Sequence, residues 1–128
     1  MPEGRTKMKG WLAKGLAVAS SLTTVYLLGS GVAVAVPTDA FCVPDQVVVF
    51  ADAPRQHVHC AASVGGISYF AISTVETSLA ARVLSILTTA QVAGRTLVIR
   101  YDPADTSGTS IGCQANDCRL IFAVGFGQ

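Results

Sequence analysis

No lysine follows Lys14, and no charged residue of any kind lies between Lys14 and Asp39. These two absences divide the chain. Arg5, Lys7, Lys9 and Lys14 precede the gap, whereas the part beyond it holds five arginines against seven acids, a formal charge of −2. A lysine-free, weakly acidic domain makes a poor partner for a phosphate backbone, where affinity needs several clustered cations, so nucleic acid is excluded. Aromatic residues are scarce at 7%, and the one tryptophan, Trp11, lies ahead of the gap. No cysteine stands before Cys42, which leaves a lipoprotein anchor without its residue. Repeats, low-complexity segments and charge runs are also missing, as are a nucleophile elbow, an HExxH pair and a P-loop.

What fills the uncharged gap is "GLAVASSLTTVYLLGSGVAVAV", with a basic flank before it and the small residues Ala33 and Ala35 at its end. That is the pattern of a secretory signal cut after "AVA", giving a leader over 1–35 and a single small domain over 36–128 that starts at Val36. The window is long enough to span a bilayer, so an uncleaved anchor is the rival reading. Ser20, Ser21, Thr23, Thr24, Gly29 and Ser30 dilute it and favour the signal. Counting from Met8 gives more ordinary signal proportions and marks a second candidate start. The protein is expected to be secreted or periplasmic, touching membrane only through this segment.

A domain of roughly ninety residues builds a modest core, and covalent help is useful to it. All four cysteines lie beyond the gap, and an even count in a small exported chain reads as two disulfides. Sequence alone permits three pairings. The favoured one joins Cys42 to Cys60, tying the N-terminal segment to an early strand, and Cys113 to Cys118, closing "CQANDC" as a hairpin tip. A metal reading would combine these cysteines with His57 and His59, which share a face if "HVHC" is a strand. An oxidising compartment favours disulfides over thiolate ligands, so no metal and no cofactor is expected.

"QVVVFAD" from Gln46 to Asp52, "QHVHCAA" from Gln56 and "ISYFAIST" from Ile67 read as three strands in an antiparallel meander, with a turn at Val64 to Gly66. Ser73 and Glu76 have the spacing of a capping box, which sets a helix start near Thr74 to Thr77. Leu79, Val83, Ile86, Leu87 and Ala90 then form an apolar stripe, widened by Ala80 and Leu84. Ser78, Arg82, Ser85 and Thr89 occupy the opposite face. Gly94 is placed to end the helix. "RTLVIRY" alternates, with Leu97, Ile99 and Tyr101 on one side and Thr96, Val98 and Arg100 on the other, until Pro103 stops it. "RLIFAVGF" is the last strand. Strands, one central helix and more strands give a disulfide-stabilised α+β domain, either a small partly closed barrel capped by the helix or an antiparallel sheet with the helix across it.

The run "YFAIS", the Leu- and Ala-rich helix and "AGRTLVIRYDP" resemble the B subunit of subtilase cytotoxin and the small secreted bacterial proteins grouped with it, over Ser68 to Pro103. The resemblance implies an OB-like barrel, a ring of five copies and recognition of sialylated host glycans. It puts the helix face of Ser78, Arg82, Ser85 and Thr89 at the pore or interface. It also makes Tyr101 a sugar contact, flanked by Arg100 where that family has a second tyrosine and by Asp102 where it has a glutamate. An aromatic face beside two charges can stack on a pyranose and bond its hydroxyls.

Two other classes remain beside a glycan-binding protein. A small secreted protein-interaction or inhibitory module would act through surface contacts without sugar. An enzyme is not expected, since Asp102 and Asp105 fall in a solvated loop, but an open concave pocket holding His57 or Glu76 with a perturbed pKa would revive that reading.

Overall fold

Valine-rich segments and glycine turns set the architecture. The computed structural model describes Val34 and residues 36–128, which fall within one compact unit, Ala33–Gln128. The expected leader, apart from Val34, lies outside the described residues, as does the alternative start at Met8. The strands are β1 (Thr38–Cys42), β2 (Pro44–Val49), β3 (Arg55–Val64) and β4 (Ile67–Ser73), then helix α1 (Thr77–Ala93), β5 (Leu97–Tyr101), a 3₁₀ turn (Ser107–Ile111), β6 (Cys118–Leu120) and β7 (Ala123–Phe126). Among the described residues no helix is long and apolar enough to cross a membrane.

The domain is α+β, with two sheets, one α-helix and two disulfides. One sheet has the order β1-β5-β7 and is antiparallel; the other has the order β2-β3-β4-β6, with β6 parallel to β4. β2, β3 and β4 form the expected meander. Gly65 and Gly66 make its second turn at φ values of 58° and 83°, a left-handed pair that twists in the sense the strands require. Gly94, at φ 62°, ends α1 by directing its N–H at the carbonyls of Ala90 and Gln91.

The core lies between the inner faces of the two sheets and α1. Val58, Cys60 and Phe70 meet Ala40, Cys42, Leu97, Ile99 and Tyr101, and Val83, Leu87 and Ala90 close one side. Phe70 and Tyr101 pack edge to face at 5.0 Å. Gln56 is buried among them, and its Nε2 donates to the Ala80 carbonyl at 2.7 Å, which satisfies the amide and ties β3 to the helix.

Several expectations are corrected. β1 adds a strand to the expected set, since "TDAFC" is short and carries little β-branched signal. "CQANDC" is not a hairpin tip: a 3₁₀ turn precedes it, and the strand after it runs parallel to β4. "RLIFAVGF" is two strands in two sheets, since the Ile121 N–H bonds the Ala71 carbonyl and the next N–H, of Phe122, bonds that of Arg100. The capping box does not form either. Ser73 Oγ accepts from the Val75 N–H, while the Glu76 carboxylate accepts from the Ser78 hydroxyl. Leu79, in the first turn of α1, is left 40% exposed.

Candidate functional site

Pleating decides the site. Val58, Cys60 and Phe70 point inward, so their neighbours His57, His59 and Tyr69 occupy the outer face of β3 and β4. The register puts His59 opposite Tyr69, Val48 opposite His57 and Gln46 opposite His59. Phe50, just past β2, extends the row. Ring centroids are 4.9 Å apart for Phe50 and His57, 5.0 Å for His57 and Tyr69, and 4.6 Å for His59 and Tyr69. Phe50, His57 and Tyr69 therefore form the floor of a groove, with His59 packed against Tyr69 beside it.

The wall comes from the segment between β5 and β6. The parallel pairing of β6 with β4 brings Cys113 and Cys118 down onto Ala71 and Tyr69. The Asp117 carbonyl also accepts from the backbone N–H groups of Ser68 and Tyr69 at 2.9 and 3.0 Å. Gln114 and Asp117 stand on this wall. Arg55 links wall and floor: its guanidinium lies 4.0 Å over the Phe50 ring, and its Nη1 donates to the carbonyls of Gly112 and Ile111. The result is a groove of about 460 Å³.

The two histidines differ. His59 Nδ1 is paired with Asp45 Oδ1 at 2.6 Å. His57 has its pKa lowered from the ordinary 6.5, chiefly by burial and then by the charges of Arg55 and His59. Its imidazole is neutral at neutral pH. The unfolded chain takes up this proton near 6.5 and the folded chain only below that, so the unfolded state binds more protons in between. Stability is accordingly expected to fall as pH drops from 6.5 to the folded midpoint, and His57→Gln to remove that part of the slope. Urea midpoints of both proteins from about pH 7.5 to about pH 5 check this; parallel profiles would reject it.

No protein-family model matches this chain, and no curated protein does.

Tyr101, Arg100 and Asp102 do not form one site. Tyr101 is 4% exposed, its ring packed on Phe70, so it has no open face for a sugar. Arg100 projects from the opposite side of β5 and makes two hydrogen bonds to Asp39, at 2.9 and 3.2 Å. That pairing holds the Asp39 carboxyl below its ordinary pKa. Asp102 is buried and caps the turn after β5, accepting from the Ala104 N–H at 2.9 Å. Asp105 accepts from the Ser107 N–H at 2.8 Å. Ser78, Arg82, Ser85 and Thr89 are all exposed on α1.

Both cysteine pairs are those favoured from the sequence, Cys42 with Cys60 and Cys113 with Cys118. Among the described residues no cluster of three or more His, Cys, Asp or Glu side chains is placed to hold a metal ion. Glu76 lies away from the groove, engaged by Ser78. His57 does line the groove with its pKa lowered, the arrangement that the enzyme reading calls for, and Tyr69 and Asp117 line it too. The lining offers aromatic faces, two glutamine amides, a neutral imidazole, a carboxylate and the Arg55 guanidinium.

Proposed function

We propose that this is a secreted, non-enzymatic carbohydrate-binding protein whose groove on β3 and β4 takes a sugar. The observation that carries the reading is the row Phe50, His57 and Tyr69 forming the floor of a walled groove. Sugar C–H faces stack on such rings, while Gln46, Gln114 and Asp117 offer partners for hydroxyls. A volume of about 460 Å³ is ample for a small saccharide. Two disulfides suit an oxidising compartment outside the cytoplasm.

Topology supports the same reading. Only Val43 separates β1 from β2, and only Ile121 and Phe122 separate β6 from β7. Each pair can be taken as one bent strand passing between the sheets. The first bent strand then pairs with β3 and β5, and the second pairs with β4 in parallel and with β5 antiparallel. We read that order as OB-like, with α1 between the third and fourth strands, although the strands stand in two separate sheets. OB modules bind oligosaccharides or oligonucleotides on their second and third strands and the flanking loops, here β3, β4, the Phe50 turn and the Cys113–Cys118 wall. The excess of acids beyond Lys14 disfavours nucleotides.

An array of neutral and sialylated oligosaccharides, probed with the exported protein, tests the proposal. Retention of a defined saccharide class is expected, with Tyr69→Ala weakening it about tenfold through loss of stacking. If wild type retains none, the reading fails. A ring of copies would use the exposed face of α1, and native mass spectrometry decides between five protomers and one. The protein-contact alternative draws on Phe41, 69% exposed on the outer side of β1. It leads if the array is blank.

A further inference from the structure

We propose that His57 is the specificity-determining residue of the groove, reading hydroxyls of an uncharged saccharide with a neutral imidazole and releasing the sugar when protonated. The proposal rests on the carbohydrate reading and names its ligand class. His57 sits mid-row between Phe50 and Tyr69, half-buried, so a ligand seated on those rings covers it. Its strand neighbour His59 is committed to Asp45, whereas among the described residues no ion pair engages His57. A neutral imidazole has one donor and one acceptor, so it can pair with a sugar hydroxyl in either direction.

The charges around His57 come from each packed element. Arg55 and His59 on β3 oppose a further positive charge. Tyr69 on β4 faces it with an uncharged ring, Asp45 on β2 is occupied by His59, and Asp117 on the wall is the one acid across the groove. A neutral sugar that strips the remaining water from His57 makes protonation harder still, so proton and sugar compete. A ligand carboxylate would do the reverse. It would favour the imidazolium and bind more tightly on acidification, so the pH profile distinguishes the two ligand classes.

Calorimetric titration of the exported protein with neutral oligosaccharides and their sialylated counterparts, from about pH 7.5 to about pH 5, tests this. For a neutral saccharide, Kd is expected to rise by up to about tenfold per pH unit below the His57 midpoint. His57→Gln keeps a donor and an acceptor but cannot titrate; it should bind more weakly than wild type at neutral pH, since one ring of the floor is lost, and with a flat profile. His57→Leu should bind about tenfold more weakly at every pH. Matching wild-type amide NMR spectra establish that both variants fold. A flat wild-type profile, an unchanged slope in His57→Gln, or binding confined to sialylated sugars and strengthened by acid would each overturn the proposal. Absence of binding by every saccharide at every pH overturns the carbohydrate reading itself, and so separates the two failures.

Discussion

Replacing Cys42 and Cys60 together by alanine is expected to cost about 2–5 kcal/mol, enough to leave much of the domain unfolded at physiological temperature. The two sulfurs are buried in the middle of the core. They close a loop of sequence separation 18, where loop-closure entropy alone is worth about 3 kcal/mol. Their position adds to this. Cys42 ends β1 just before the chain bends at Val43 into β2, and Cys60 lies on β3, so the bond joins the two sheets at the point where one strand crosses between them. Cys113 and Cys118 are the control: their loop has a separation of 5, its closure contributes less, and it carries the groove wall. Urea melts of both double variants should show the larger loss for Cys42 and Cys60. Saccharide binding should fall most in the folded Cys113 and Cys118 variant. Equal melts would mean that the junction between sheets is held by packing alone.

Phe70→Ala should cost about 3–5 kcal/mol, whereas Tyr69→Ala, one residue away, should cost about 1 kcal/mol and act on binding. Phe70 is fully buried, packs on Tyr101 and is the largest side chain completely enclosed in the core. Its removal leaves a cavity between the sheets that rigid strands cannot collapse to fill. Tyr69 points the other way. Its ring rests on the disulfide wall and on two histidines and borders open groove, so truncation removes a surface for ligand and little core. Thermal melts and array binding on the same two variants should therefore give opposite rankings. Similar melting temperatures would show that the two faces of β4 are equally important to the fold.

Much of this was legible in the chain. The meander over β2, β3 and β4 follows from β-branched runs broken at "APR" and "VGG", because a pleated, half-buried surface favours those residues and a tight turn favours glycine. The alternation of "RTLVIRY" put Tyr101 on the side of Leu97 and Ile99, which is where it is buried; the expectation of a sugar contact there came from resemblance and not from the pattern. For the groove, the alternation in "HVHC" and "SYF" was the available signal, since it puts His57, His59 and Tyr69 on the faces opposite Val58, Cys60 and Phe70. Phe50, Arg55, Gln114 and Asp117 carried no local signal, because what brings them together is the pairing of distant segments.

By itself the sequence determined the helix and its end at Gly94, the three central strands and the α+β class, all consequences of periodicity and turn chemistry, while it left three cysteine pairings open and the structure takes the favoured one. Tertiary structure alone decided that "RLIFAVGF" divides between two sheets, that β6 lies parallel to β4, and that the Cys113–Cys118 segment becomes a wall over Tyr69. The reason is physical. Which face of a strand is buried is set by side chains two residues apart, whereas which strand lies beside it depends on closing the whole core, and no local pattern encodes that.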